Sequence, residues 1–102
     1  MTKIQHMVLF QFKPEVNPEQ IDEVFRQLAE LTDLIPGILH YAGGCYSSHE
    51  GMNGVFTHGF LMTFDNAESR DVYLPHPDHE RVKGFIGPLV ENVVAFDIED
   101  DS

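Results

Sequence analysis

The sequence has little cysteine and no long apolar run, and each shortage excludes a class of protein. Its single cysteine, Cys45, excludes an internal disulfide, which fits the reducing environment of the cytosol. No apolar run approaches the roughly 20 residues that a bilayer-spanning helix needs. The amino terminus also lacks the pattern of a secretory signal. We therefore expect no transmembrane segment and predict a cytoplasmic protein.

Positive charge is also scarce. Six Lys and Arg residues face 17 Asp and Glu residues, which gives a formal net charge of −11. The six cations are spread singly along the chain, whereas binding to nucleic acid needs clustered cations that displace counterions from phosphates. The acidic excess should also repel an anionic lipid surface. We predict neither a nucleic-acid partner nor a membrane partner.

What the sequence does contain is a globular composition and a clear alternation near its start. At 102 residues, 42% of them hydrophobic, the chain fits one domain over residues 1–102. Residues 3–12 alternate and predict a strand. One face of this strand carries Ile4, His6, Val8, Phe10 and Phe12. The other face is also half apolar, because Met7 and Leu9 lie at its centre, so both faces need a cover.

A helix follows this strand and has signals at both ends. Asn17 is a good N-cap, Pro18 suits the first helical position, and Gln20 completes a capping box. Apolar residues then recur at helical spacing as far as Ile35. The Pro36-Gly37 pair ends the helix.

The remaining elements complete a βαββαβ order. We predict strands over residues 38–46, 56–64 and 91–98, with a bulge or bend at Gly43-Gly44. A capping box of Asp65 and Glu68 predicts a short helix to Tyr73, and another helix runs from about Asp78 to Gly84 or Phe85. This order indicates an α+β, ferredoxin-like fold with a four-stranded antiparallel sheet and its helices on one face. The helix-free face would then be covered by a second copy, which forms a dimeric α+β barrel.

Four polar residues are candidates for chemistry. His6 and His58 lie on apolar faces of their strands, and both imidazoles could enter the space between sheet and helices. Tyr73 and His79 bracket a turn that contains proline, so they could form an acid–base pair. A structural role stays open, in which the histidines are hydrogen-bonded core or capping residues and Tyr73 closes the core. Cys45 is interpreted as a small buried hydrophobe.

Two segments carry a resemblance to a known family. Residues 4–13 read IQHMVLFQFK, and residues 73–79 read Tyr-x-x-His-Pro-x-His and are followed by Val82. The chain resembles the stress-responsive dimeric α/β barrel (Dabb) family over nearly its whole length. The resemblance implies a homodimer. The family includes heat-stable and defence-related plant proteins, many bacterial proteins without an assigned activity, and a plant polyketide cyclase that makes olivetolic acid.

The resemblance also implies site residues. Carried over from the cyclase, Tyr73 and His79 would perform acid–base chemistry, and the further pocket positions are His6, Val8, Val24, Leu28, His58, Phe60 and Met62. Leu28 replaces a pocket tyrosine of the cyclase, and Phe60 and Met62 replace two small valines. These bulkier residues should narrow the cavity and disfavour a long tetraketide.

No redox cofactor is implied, but a structural cation is. Some plant members hold a magnesium ion with backbone carbonyls that match Thr32, Ile35 and Ile38, at the end of a helix where unpaired carbonyls carry partial negative charge. We therefore expect a homodimeric stress-responsive barrel protein of uncharacterised activity with a small-molecule pocket. The alternatives are a cyclase-like enzyme that acts on a carbonyl-containing substrate, and a stable dimer without catalysis.

Overall fold

Four strands form one antiparallel sheet in the order β2-β3-β1-β4 in the computed structural model, which describes residues 2–102. The elements are β1 (Lys3–Phe12), α1 (Pro18–Leu34), β2 (Ile38–Cys45), β3 (His58–Phe64), α2 (Ala67–Tyr73), α3 (Pro77–Ile86), a 3-10 turn (Gly87–Leu89) and β4 (Val90–Asp100). The predicted α+β, ferredoxin-like architecture is confirmed, and each strand end lies within two residues of its prediction. Among residues 2–102, no helix is long and apolar enough to cross a bilayer.

Helix α1 begins and ends as the sequence predicts. The side chain of Asn17 accepts from the N–H of Gln20 at 2.8 Å, and the side chain of Gln20 accepts from the N–H of Asn17 at 2.9 Å. At the other end the N–H of Ile35 donates to the Leu31 carbonyl at 2.9 Å, and Pro36 has no N–H to continue the ladder. The helix buries Val24, Leu28 and Leu31 in the core.

The predicted cap of helix α2 is wrong by one residue. Asn66, and not Asp65, is the N-cap, because the side chain of Asn66 accepts from the N–H of Ser69 at 2.8 Å. The N–H of Asp65 donates instead to the Gly37 carbonyl at 3.0 Å, which ties this residue to the turn that enters β2. An amide oxygen caps as well as a carboxylate, so the two neighbours could not be separated by residue type.

Helix α3 starts slightly earlier than predicted. His76 is its N-cap and accepts at Nδ1 from the N–H of Asp78 at 3.1 Å, while Pro77 occupies the first helical position. The helix then continues to Ile86, one or two residues beyond the predicted end. Such end differences are typical of helices, but the early cap fixes the orientation of the first turn of α3.

Of the bulge or bend predicted at Gly43-Gly44, the bulge is wrong. Gly43 pairs regularly with Phe60, and the irregular register of β2 lies between Ile38 and His40. Gly43 serves close packing instead, since a Cβ there would lie 2.4 Å from the Tyr41 hydroxyl. Glycine in a strand therefore marks a close approach here.

The two faces of the sheet differ in burial. The helix-covered face contains the core side chains Ile4, Val8, Phe10, Phe60, Met62 and Phe64, each at most 7% exposed. On the opposite, helix-free face, Met7 pairs with Phe96 and Leu9 pairs with Val94. Met7 is 37% exposed and Phe96 is 60% exposed in the single chain. Cys45, expected to be buried, is exposed at the end of β2, because this strand lies at the edge of the sheet.

Candidate functional site

A cavity of about 340 Å³ lies between the helix-covered face of the sheet and helix α3. Of the residues predicted for the site, His6, Val8, Leu28, Phe60 and His79 line it. It is also lined by Phe10, Leu74, Val82, Lys83, Ile86, Gly87, Val90, Val93 and Ala95. The cavity is thus mostly apolar with two imidazoles and one amine, which is typical of a site for a small organic molecule.

His79 is held at the cavity by the turn between α2 and α3. Its Nδ1 lies 3.0 Å from the Leu74 carbonyl, which can only accept, so Nδ1 carries the proton and donates. In the neutral ring Nε2 is then the acceptor. Burial lowers the pKa of His79 below its ordinary value of 6.5, although the bond to Leu74 partly offsets this. His79 is therefore a neutral imidazole with one accepting nitrogen at neutral pH.

His6 reaches the same cavity from β1 and has a different partner. Its Nδ1 lies 2.5 Å from Oδ1 of Asp97, and Oδ2 of Asp97 accepts from Nη1 of Arg70 at 3.0 Å. Partial burial by itself raises the pKa of Asp97, but the hydrogen bonds from His6 and Arg70 outweigh it and leave the pKa below its ordinary value. Asp97 is thus a carboxylate with both oxygens in use.

Tyr73 contacts His79 but does not hydrogen-bond to it. The two rings are stacked with their centroids 4.0 Å apart and their planes at 29°. The Tyr73 hydroxyl is buried without a hydrogen-bond partner, and burial raises the pKa of this phenol. Tyr73 is fully buried beneath the histidine and does not line the cavity.

Three further predicted residues also lie away from the cavity. Val24 and Met62 are core residues with no exposed surface. His58 lies near the end of the sheet where its ring packs edge-on against Phe12, with centroids 5.1 Å apart, and its Nδ1 is 2.8 Å from the Thr57 hydroxyl. Burial lowers the pKa of His58. The structure therefore brings His6 and His79 together and leaves His58 at another place on the same face.

The sequence interpretation missed Asp97, Arg70 and Lys83. Asp97 pairs with His6 in the sheet register and follows Val93 and Ala95 on the same face of β4. A carboxylate that follows two apolar residues on one strand face was the signal that could have identified it, because a partly buried carboxylate needs a partner. Arg70 carried no comparable signal, since it reaches Asp97 of β4 from helix α2, across 27 residues of chain.

The end of helix α1 has features that suit the predicted magnesium ion. The carbonyl of Thr32 would normally accept from the N–H of residue 36, but that residue is Pro36, so this oxygen has no helical partner. Close to the same turn, Oδ1 of Asp65 is buried without a hydrogen-bond partner. Oxygen ligands of this kind are those that magnesium prefers.

A cation held by the carbonyls of Thr32, Ile35 and Ile38 would offset the partial negative charge of the helix end. This cation site remains a prediction. Within residues 2–102 there is no group of three or more His, Cys, Asp or Glu side chains that could hold a metal ion.

The fold and the cavity define a class of protein, and the comparisons name the family. A four-stranded antiparallel sheet with helices on one face and a bare apolar face defines the α+β, ferredoxin-like class. The model of the stress responsive A/B barrel domain (Dabb) matches residues 4–100. The chain therefore belongs to the Dabb family, as its motifs predicted.

Relatives and solved structures agree with this assignment. The chain is 33% identical over 100 residues to the stress-response A/B barrel domain-containing protein HS1 of Arabidopsis thaliana, covering 97% of this chain and 91% of that protein. It is 24% identical over 94 residues to olivetolic acid cyclase of Cannabis sativa, covering 92% and 93%. A dimeric ferredoxin-like protein of unknown function from Jannaschia sp. CCS1 superposes with a TM-score of 0.85 at 26% identity, covering 95% and 98%.

Proposed function

We propose that this protein is a homodimeric stress-responsive barrel protein whose two sheets pack through their helix-free faces and whose cavity binds a small carbonyl compound. The observation that carries the dimer is the helix-free face, where Met7, Val94, Phe96 and Ile98 are 37–60% exposed in a single chain. Fully burying one such side chain stabilises a protein by about 1.5–3 kcal/mol. A second copy is the partner that fits, because the similar Jannaschia structure is dimeric.

The dimer is tested with a matched pair of substitutions on one strand. Phe96 lies on the helix-free face of β4 and Val93 lies on the other face, 60% and 55% exposed respectively. Phe96→Asp should raise the dimer dissociation constant more than about 30-fold, since loss of one central interface aromatic alone costs about 2 kcal/mol. Val93→Asp should leave the dimer intact.

Sedimentation equilibrium measures both variants beside the unchanged protein. A monomeric unchanged protein at micromolar concentration, or equal dissociation of the two variants, contradicts the proposed interface. A charge at Leu9 or Leu61, the other apolar residues at the centre of this face, should repeat the Phe96→Asp result.

The ligand proposal rests on the polar groups of the cavity. Its volume of about 340 Å³ suits a small molecule, and Phe60 and Leu28 fill part of the space beside it. His79 offers an accepting Nε2 that can take a proton from an enol or from a carbon next to a carbonyl. A compact β-dicarbonyl compound is therefore a suitable ligand class.

Ligand binding is tested with a panel of β-diketones, simple ketones and aromatic aldehydes, first by thermal shift and then by calorimetry. His79→Ala should weaken binding of the best compound by about tenfold, the value of one hydrogen bond of about 1.4 kcal/mol. The control is His49→Ala, because His49 is exposed in the β2–β3 loop and does not line the cavity. A large loss of thermal stability in His79→Ala with unchanged affinity would support a purely structural role.

A cyclase-like reaction is the second candidate. It is favoured by the contact between Tyr73 and His79, the two residues that the resemblance to olivetolic acid cyclase marks for acid–base chemistry. The Tyr73 hydroxyl would have to reach the ligand from beneath the imidazole, which requires a ligand or a ring movement that opens the cavity floor. Turnover that is lost in Tyr73→Phe, with binding retained, would favour this candidate over simple binding.

A further inference from the structure

Three side chains from three elements form a hydrogen-bonded network that ends at the cavity. Arg70 belongs to helix α2, Asp97 to strand β4 and His6 to strand β1. Nη1 of Arg70 is 3.0 Å from Oδ2 of Asp97, and Oδ1 of Asp97 is 2.5 Å from Nδ1 of His6. His6 is 6% exposed, whereas the side chains of Asp97 and Arg70 are 27% and 23% exposed. The hydrogen-bonded network therefore runs from the surface to a buried imidazole.

The charges of Arg70 and Asp97 determine which ring nitrogen of His6 carries the proton. An ionised carboxylate only accepts hydrogen bonds, and a guanidinium only donates them. Asp97 accepts from Arg70 at one oxygen, so its other oxygen must accept from His6. Nδ1 of His6 consequently carries a proton, and Nε2 is the accepting nitrogen of the neutral ring.

We infer that Asp97 and Arg70 are positioning residues that make His6 a second proton acceptor of the cavity, beside His79. This role towards a ligand rests on the proposed function, whereas the protonation of the His6 ring does not. Asp97 holds the imidazole in one tautomer and offsets the charge of the imidazolium if His6 takes up a proton. Arg70 in turn holds the carboxylate, whose neighbouring strand positions are apolar.

The arrangement selects for a ligand that gives a proton. In the neutral rings of His6 and His79 the Nδ1 protons are engaged by Asp97 and by the Leu74 carbonyl. Both rings can accept but neither can donate to a plain ketone. With an enolisable dicarbonyl, the C–H bond between the carbonyls breaks, the proton goes to Nε2 of His6, and the electron pair stays on the ligand as an enolate.

Because of Arg70, the substitution Asp97→Asn should change the tautomer of His6. The asparagine oxygen is expected to turn towards Arg70, because a guanidinium cannot accept from an amide NH₂. The NH₂ group then faces His6 and donates to Nδ1, which forces the proton onto Nε2. Removing Arg70 as well, in the double variant Arg70→Leu/Asp97→Asn, frees the amide to turn its oxygen back towards His6.

The test is nitrogen NMR of the intact protein labelled with ¹⁵N-histidine, without ligand and at a pH above 8. We expect the Nδ1–H tautomer for His6 in the unchanged protein, the Nε2–H tautomer in Asp97→Asn, and return of the Nδ1–H tautomer in the double variant. His79 keeps its Nδ1–H tautomer throughout and is the internal control. An Nε2–H tautomer for His6 in the unchanged protein overturns the inference without use of any variant, and so does an unchanged tautomer in a folded Asp97→Asn.

A ligand arm separates this inference from the proposed function. With acetylacetone as the enolisable probe and 2-pentanone as its plain-ketone match, Asp97→Asn should weaken binding of the first by about tenfold and should not weaken binding of the second, to which the Nε2–H of His6 can then donate. Equal weakening of both compounds overturns the acceptor role of His6. If neither compound nor any member of the larger panel binds the unchanged protein, the proposed function fails, and the tautomer measurement still decides whether Asp97 and Arg70 position the ring.

Discussion

The two faces of the sheet are made from the same four strands, and both are apolar, yet they differ in exposure to water in a single chain. Phe64 on the helix-covered face has no exposed surface and lies 5.0 Å from the ring of Tyr73, measured between centroids. Phe96 on the helix-free face is 60% exposed. Strand alternation places a side chain on a face, but only the helices decide whether that face is closed within the chain.

The difference separates the contacts that a single chain makes from those that the proposed dimer would add. The helix-covered face forms the core and also contains the cavity, so its polar groups His6 and His79 are shielded from water. The helix-free face has its apolar side chains in one row, with Met7 opposite Phe96 and Leu9 opposite Val94. Folding of the single chain thus depends on one face, and the proposed association would use the other.

The largest expected effect is a truncation on the helix-covered face. Phe64→Ala should lower the free energy of unfolding by about 3–5 kcal/mol, because it removes a fully buried ring and leaves a cavity beside Tyr73. Chemical denaturation monitored by circular dichroism measures this loss. The loss should be the same at low and high protein concentration, and a strong dependence on concentration would contradict the assignment of this ring to the core of the single chain.

The same substitution on the helix-free face should have a smaller effect of a different kind. Phe96→Ala should lower the apparent stability by about 1.5–3 kcal/mol, and only where the dimer is populated, since the ring is exposed in the single chain. Denaturation curves over a hundredfold range of protein concentration should therefore converge as the protein is diluted. A stability difference between Phe96→Ala and the unchanged protein that stays constant on dilution would contradict the assignment of Phe96 to the dimer interface.

The smallest expected effect concerns two imidazoles on the helix-covered side of the sheet, the buried His79 of α3 and the partly buried His58 of β3. Burial lowers the pKa of His79 and of His58 below the ordinary value of 6.5. The unfolded chain therefore binds more protons than the folded chain as the pH falls below about 6.5, and stability should decrease through this window. Asp97, whose pKa is also lowered, stabilises the fold at higher pH and loses this contribution only near its own lower range, below 3.8.

Melting temperatures between pH 5 and pH 8 measure this dependence. His79→Gln should flatten the slope below pH 6.5, because it removes one of the groups that must take up a proton on unfolding. The exposed His49→Gln should leave the slope unchanged. Equal slopes in the unchanged protein and in His79→Gln would show that His79 is not shielded from water in solution.

Local signals in the sequence predicted the elements well, and they failed where two neighbouring residues could both cap a helix. The capping box of Asn17 and Gln20 depends on hydrogen bonds between residues three positions apart, and the stop at Pro36 depends on the missing N–H of proline. Both signals are local, so they could be predicted before any tertiary contact. The cap of α2 was placed on Asp65 instead of Asn66, because both side chains can accept the same bond. The choice was made by the contact of Asp65 with Gly37, which no local rule contains.

The candidate site was predicted only in part, for a similar reason. The motif led to His79 and the strand pattern led to His6, and both line the cavity. The same pattern put His58 on the correct face but could not show that it lies four strand positions from the pairing partner of His6, beside Phe12. Distance along a strand is set by the register of the pairing, and single-strand alternation does not fix it.

The sequence by itself determined the order of the elements, the two apolar faces of the sheet and the family, because periodicity, caps and short motifs act over a few residues. The tertiary structure decided which histidines share a cavity and which carboxylate holds one of them. Asp97 meets His6 across 91 residues of chain, and Arg70 reaches Asp97 from a helix on another layer. Contacts between residues so far apart arise from strand pairing and layer packing, which become defined only when the whole chain has folded.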